Sequence, residues 1–230
     1  MNTQQEAYAE LFLVDKPLEW TSFDVVKKIR NALKIKKVGH AGTLDPLATG
    51  LLIVCAGKMT KQIETFMGKE KEYTGTFVLG KTTESYDLEK PVIDVADPSH
   101  LTLEDIQKAA EQLTGDILQV PPMHSAVKVD GKRVYESARA GKSLKLDPRP
   151  VQVREFEITR YEGDEIDFRI SCSKGTYIRS LARDLGEILQ VGAYMKSLCR
   201  TRIGEFHLSE AHSLPELIET IKSRHTHENL

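Results

Sequence analysis

The stretch Gly39-His40-Ala41-Gly42-Thr43-Leu44-Asp45-Pro46-Leu47-Ala48-Thr49-Gly50, followed at once by Leu51-Leu52-Ile53-Val54-Cys55-Ala56, decides how the remainder of the 230-residue chain is read. Its glycines supply positions where the backbone can take φ > 0 or approach a ligand closely, and Pro46 fixes one φ. The apolar run that follows has the length and composition of a buried strand, which anchors the loop to a core. A loop held in this way presents its side chains accurately, and this one carries an imidazole, His40, and a carboxylate, Asp45.

Working outward, Leu11 to Val14 reads as a short strand ending in the turn Asp15-Lys16-Pro17. Thr21 with Asp24 three residues on is a capping-box start for an amphipathic helix whose inner face is Val26, Ile29 and Leu33. Lys58 to Met67 predicts a helix and Lys71 to Gly80 a strand, placing Tyr73 near that strand's start. Thr102 caps a further helix that Gly115 ends. Ser125 to Val129 turns on Asp130-Gly131 as a hairpin, followed by a short helical piece over Tyr135 to Ala140 and a proline-bounded loop through Pro150. Val151–Tyr161 and Glu165–Ser173 are strands, Gly175-Thr176 opens a helix along Ile178, Leu181, Leu185 and Ile188, and two short strands fit Tyr194–Arg200 and Ile203–Leu208. Ser213 with Glu216 starts the last helix.

Hairpin-linked strands with inserted helices favour an α+β fold, a mixed and mainly antiparallel sheet flanked by helices, over a doubly wound sheet. The expected organisation is a disordered 1–10, a single catalytic domain over 11–212 with a basic insertion at about 121–150, and a C-terminal helix and tail over 213–230.

The formal net charge of −2 argues against indiscriminate coating of nucleic acid, yet the charge is unevenly placed. Lys128 to Arg154 holds eight basic and three acidic residues, Lys27 to Lys37 six basic and none acidic, and Glu84 to Asp116 nine acidic against Lys90 and Lys108. One side of the molecule is thus expected to be basic, and a phosphate backbone could dock there. No signal peptide or apolar run of membrane-spanning length is present, so a cytoplasmic protein is expected. Cys55, Cys172 and Cys199 lack metal or redox spacing and read as buried thiols.

Clustered metal ligands, a phosphate-binding G-x-x-x-x-G-K-[ST] loop and a G-x-S-x-G elbow are all missing from the sequence. What remains is one carboxylate, Asp45, on a rigid loop in a protein with basic surfaces. Spacing alone leaves Asp45 a turn-former before Pro46.

Resemblance goes further. Gly39 to Gly50 resembles the G-H-x-G-T-L-D-P-x-A-x-G signature of the TruB-type tRNA pseudouridine synthases. The likeness extends in order through Asp15-Lys16-Pro17, Lys71-Glu72-Tyr73, Pro121 to Lys128, Ser173 to Arg179 and Leu198 to Phe206. It implies the pseudouridine-synthase fold and isomerisation of the T-loop uridine, position 55 of tRNA, with no cofactor or metal. By that resemblance Asp45 is the nucleophile, attacking ribose C1′ or uracil C6, and Arg179 pairs with it. Tyr73 stacks on the target base, and Tyr177 packs in the same pocket. His40 fills the space left by the extruded base. Lys16 supports the loop, and Lys16, Lys128, Lys132, Arg133, Arg200 and Arg202 are expected RNA-contacting residues, the basic insertion forming a flap over the T arm. The partner is the tRNA T stem-loop, with no membrane, no obligatory protein partner and a monomeric state. A catalytically idle RNA-binding module on the same fold is the alternative.

Thr82 to Asp87 stands where the family usually shows T-D-T-x-D, and Cys199 replaces a frequent Arg. Only 24 residues follow Phe206, which leaves no room for the family's usual C-terminal RNA-binding domain of the PUA type. Recognition is therefore expected to rest on the T stem-loop.

Overall fold

The computed structural model describes residues 8–123, 128–129, 132–133 and 146–227. In chain order the strands are β1 (Ala9–Lys16), β2 (Val38–His40), β3 (Ala48–Gly57), β4 (Lys71–Leu79), β5 (Lys81–Thr82), β6 (Ile93–Asp94), β7 (Gly115–Gln119), β8 (Lys128–Val129), β9 (Lys132–Arg133), β10 (Arg149–Glu162), β11 (Glu165–Cys172), β12 (Ala193–Ile203), β13 (Phe206–His207) and β14 (His212–Ser213). The α-helices are α1 (Ser22–Leu33), α2 (Ile63–Gly68), α3 (Leu103–Gln112), α4 (Ile178–Ile188) and α5 (Leu214–His227). This is the expected α+β arrangement, and most strand pairs are antiparallel. The chain divides into two compact units, Met1–Tyr73 with Leu198–Leu230 and Thr74–Ser197.

In the first unit the strand order is β14-β1-β3-β12, with β2 also on β3 and β13 on β12. β3 lies between antiparallel β1 and parallel β12, and Leu51 to Ala56 are all fully buried. A strand covered on both faces needs an uninterrupted apolar run, which is what the sequence supplies. Alternate side chains go to opposite faces. Leu52, Val54 and Ala56 meet Phe12 and Val14, the inner stripe of α1 (Val25, Val26, Ile29, Leu33) and Leu217, Ile218 and Ile221 of α5. Leu51, Ile53 and Cys55 meet Ala41 and Ile203 on the other side. Burial of each such side chain stabilises by about 1.5–3 kcal/mol. The capping box predicted for α1 is present, with Thr21 and Asp24 satisfying each other's backbone N–H.

In the second unit the order is β4-β11-β10-β7. Phe77, Phe156 and Phe168 form its aromatic centre, with Phe77 and Phe168 ring centroids 4.2 Å apart. A second capping box, Thr102 with Asp105, starts α3, and Ile106, Ala109 and Ala110 are its buried stripe.

Several boundaries differ from expectation. The two strands expected over 194–208 are one strand, β12, plus the two-residue β13. Gly204, at φ +55, turns the chain so that Ile203 pairs with Phe206. The helix expected over Lys58–Met67 is a 3-10 segment, Lys58–Gln62, followed by the short α2. β1 begins at Ala9, two residues ahead of its expected start, because Ala9 and Glu10 pair with Gly57 and Ala56. The helical piece expected near Tyr135 and the Asp130-Gly131 turn lie outside the described residues. Among the described residues no helix is long and apolar enough to cross a membrane.

Candidate active site

The loop that carries Asp45 is fastened at several points within the first unit. Ala41 N–H donates to Ile53 O (2.9 Å), and Ala48 N–H closes a turn on Asp45 O (3.0 Å). The hydroxyl of Ser22, at the start of α1, accepts from Leu44 N–H (2.9 Å), and Glu19 N–H reaches Pro46 O (2.8 Å). Gly42 and Gly50 take φ of +102° and +98°, conformations that side chains resist. Gly50 lies opposite Arg200 in the β3–β12 register, and a Cβ there would stand 2.4 Å from Arg200 O.

Lys16 and Arg200, both expected to touch RNA, are instead buried, 0% and 1% exposed, with their donors turned onto the loop. Lys16 Nζ donates to Trp20 O (2.6 Å), Pro17 O (2.9 Å) and Pro46 O (3.4 Å). Arg200 Nε donates to Leu51 O (2.8 Å) and Nη2 to Gly42 O (3.1 Å). Burial pushes the Lys16 ammonium down to about 8; the negative charge of Asp45 opposes that shift and the charge of Arg200 adds to it. Asp45 itself is half-buried.

His40 closes β2 opposite Val54 and is half-buried. Its Nδ1 is buried without a hydrogen-bond partner. Burial, then the nearby Arg200 charge, lowers its pKa below the usual imidazole value, against a smaller opposing contribution from a backbone hydrogen bond at Gly42. The ring is therefore neutral at pH 7. Tyr73 is 9% exposed near the start of β4. Arg202, another expected RNA contact, is engaged by Glu70 (2.9 Å) and by Gly204 O (3.1 Å).

In the second unit Tyr177 is the N-cap of α4, and its backbone is gripped by Gln119. Tyr177 N–H donates to Gln119 Oε1 (2.8 Å) and Gln119 Nε2 to Tyr177 O (3.2 Å). Arg179, in the first turn of α4, is 4% exposed; its Nη1 donates to Ser85 O (3.2 Å) and its Nε lies 3.6 Å from Asp87 Oδ2. Asp87 is 2% exposed and its Oδ1 accepts from Ser85 Oγ (2.5 Å) and Glu89 N–H (3.0 Å). Ser22, Gln119, Ser85 and Asp87 are partners that the sequence reading missed. For Asp87 a signal existed, since it keeps the final acid of the T-D-T-x-D pattern.

The β8–β9 pair is antiparallel, with Lys128 opposite Arg133 and Val129 opposite Lys132, the pairing the predicted hairpin requires. The side chains of Lys128, Lys132 and Arg133, and the remainder of the expected flap through residue 145, lie outside the described residues.

Residues 30–178 match the family model described as "TruB family pseudouridylate synthase (N terminal domain)". The chain belongs to this family. Residues 179–230 match the tRNA pseudouridylate synthase B C-terminal domain. These two matches cut the chain at a different point from its compact units, because the first unit is built from both ends of the chain. Curated relatives include tRNA pseudouridine synthase B of Flavobacterium johnsoniae, 47% identical over 92% of this chain and 95% of the relative. The protein of the same name from Chloroherpeton thalassium is 49% identical over 92% and 90%. Among solved structures, the archaeal box H/ACA sRNP Nop10–Cbf5 complex contains a chain with a TM-score of 0.69 and 26% identity, covering 95% of this chain and 55% of that one. A Cbf5–Nop10–Gar1 complex gives 0.71 and 29%, covering 94% and 55%. The chain thus spans about half the length of those solved chains. The pseudouridine-synthase fold implied by the sequence is borne out.

Proposed function

We propose that the protein converts a uridine of tRNA to pseudouridine, and that the target is the T-loop uridine at position 55. The first part rests on relatives of nearly equal length, each named tRNA pseudouridine synthase B. The observation that carries the chemistry is the half-buried carboxylate Asp45 on a loop fixed by Ser22, Lys16 and Arg200.

The reaction breaks the bond from ribose C1′ to uracil N1, turns the base and forms a bond from C1′ to C5; C5 gives up its proton and the freed N1 takes one up, so the product is an isomer of the substrate. Electrons balance within the nucleotide. One positioned carboxylate can act as nucleophile and then as leaving group. We assign that role to Asp45, at C1′ or at C6, and to Arg179 the cation that attends it. Tyr73 stacks on the base, Tyr177 packs beside it, and neutral His40 fills the vacated space. Extruding the base costs a few kcal/mol of unstacking. Lys16 and Arg200 contribute by holding the loop, while Lys128, Lys132, Arg133 and Arg202 meet RNA. The same reading takes the protein as a cytoplasmic monomer with no obligatory protein partner.

The test incubates wild type and Asp45→Asn with an unmodified tRNA transcript and maps pseudouridine by carbodiimide-blocked primer extension. A single stop at position 55 with wild type alone is expected. Conversion by the variant removes Asp45 as nucleophile, and a stop elsewhere removes the assigned target.

A further inference from the structure

The basic stretch Lys27 to Lys37 is not used by the site described above. It occupies the outer face of α1 and the turn that follows. α1 gives Val25, Val26, Ile29 and Leu33 to the core and leaves Lys27, Lys28, Asn31 and Lys34 exposed; Lys36 and Lys37 continue the exposed line beyond the helix. No acidic residue occurs from Lys27 to Lys37.

Several cations elsewhere in the molecule have built partners. Arg160 has Asp167 at 2.6 Å, Arg169 has Glu155 at 2.8 Å and Glu157 at 2.9 Å, and Arg202 has Glu70 at 2.9 Å. Among the described residues, Lys27, Lys28, Lys36 and Lys37 enter no salt bridge. Asp24, one turn before Lys27 and Lys28, offsets part of this charge, and the excess of like charge that remains attracts polyanions.

The position of this ridge indicates which polyanion. Its near end is tied to the catalytic loop, because Ser22 of α1 holds Leu44, the neighbour of Asp45. Its far end lies at the opposite end of β3, where Lys37 O accepts from Gly57 N–H (2.8 Å). Lys27 to Lys34 covers about 10 Å along the helix axis, with Lys36 and Lys37 beyond it. Open concavities of 310 Å³ and 480 Å³ run along α1; the first is lined by Lys27, Lys28 and Asn31 together with Glu19 and Asp24, and the second, lined by Arg30, Asn31, Lys34 and Lys36, has no carboxylate in its wall. The second hollow, walled by guanidinium, ammonium and amide donors, suits backbone phosphates, and such contacts position an RNA without reading its bases.

We propose that this lysine ridge is a second RNA-docking surface. It takes the phosphate backbone of the substrate tRNA outside the stem-loop that carries the target uridine. The inference rests on tRNA being the substrate, and the experiment separates the two claims.

Lys27, Lys28, Lys36 and Lys37 are replaced together by Ala in the full chain. Binding and turnover are measured with an intact tRNA transcript and with an isolated T stem-loop, between 50 and 200 mM salt. Neutralised phosphates contribute about −0.9 each to the slope of log K against log salt on duplex. The variant is expected to bind intact tRNA at least tenfold more weakly at the lowest salt, with a slope shallower by about 3, and to bind and convert the stem-loop as wild type does. Unchanged binding of intact tRNA overturns the proposal. Equal weakening toward the stem-loop overturns it too, since the ridge would then touch the T arm itself. Lysine-dependent retention on polyglutamate without any change toward tRNA assigns the ridge to an acidic protein instead. Failure of wild type to convert either RNA defeats the tRNA reading, not the ridge, whose binding difference is read independently of turnover.

Discussion

Arg179 and Asp87 form an ion pair buried within the second unit, Nε to Oδ2 at 3.6 Å with side chains 5% and 2% exposed. Asp87 Oδ2 has no hydrogen-bond partner, whereas Oδ1 is held by Ser85 and Glu89. One carboxylate oxygen is thus fixed to its own loop and the other faces the guanidinium. Arg179 is positioned by charge and by the carbonyl of Ser85, before any substrate is considered.

Asp87→Asn keeps the shape of that side chain and removes its charge. Leaving a buried guanidinium without its counter-ion costs about 3 kcal/mol, so the urea midpoint should fall. Turnover in single-turnover assays should drop at least tenfold while tRNA affinity is retained. A fall in stability with unchanged turnover would show that Asp87 supports only the fold.

Two glycines separate backbone strain from steric overlap. Gly50 (φ +98°) and Gly115 (φ +97°) have nearly the same φ. A Cβ on Gly115 meets nothing within 4 Å, whereas one on Gly50 would lie 2.4 Å from Arg200 O and 2.8 Å from Arg200 N. Gly115→Ala should therefore cost only the conformational penalty, about 1–2 kcal/mol, and Gly50→Ala about 2 kcal/mol more. Thermal unfolding of the two variants side by side reads the difference. Equal losses would mean that β12 moves aside without cost.

How much of this was legible depends on the range over which each feature is determined. β3, α1 and α3 were readable because their signals are local: an unbroken apolar run, and the Thr21–Asp24 and Thr102–Asp105 capping boxes. β2, β7 and β14 were missed because two to five residues carry little periodicity, and they become strands only through β3, β10 and β1. The resemblance implied RNA contact for Lys16 and Arg200 and, for Lys16, support of the loop; the structure shows the support, and a sequence motif does not give the depth of either side chain. Both are buried because unpaired loop carbonyls need donors, a demand visible only once the chain is folded. Asp45 could not be distinguished from any Asp before Pro by spacing; family resemblance singled it out.

Lys16 should give the protein a measurable pH signature. Its folded pKa, about 8, lies below the ordinary 10.5, so the folded state binds fewer protons between those values. Stability contributed by this group then rises with pH from about 8 to 10.5 and is lost as pH falls through 8. Lys16→Met lacks that rise. The difference in unfolding free energy between wild type and variant, followed from pH 7 to 10, should grow in favour of wild type. A flat difference would show that Lys16 keeps an ordinary pKa.

Ser22 supplies the last test, one that distinguishes accuracy of the loop from its presence. Its hydroxyl accepts from Leu44 N–H at 2.9 Å and lies 3.3 Å from Leu44 O, so a single side chain satisfies both polar groups of the residue before Asp45. Ser22→Ala leaves those groups buried and unsatisfied, a cost of about 1–3 kcal/mol. Lys16 and Arg200 still hold Pro46, Gly42 and Leu51, so the loop should stay folded with a less certain direction for the carboxylate. A reacting group misplaced by about 1 Å can lose on the order of a hundredfold in rate. Turnover should accordingly fall by one to two orders of magnitude, roughly, with the dissociation constant for tRNA nearly unchanged. Loss of binding in proportion to turnover would instead make Ser22 part of the RNA surface, and wild-type turnover would show that the remaining bonds suffice to aim Asp45.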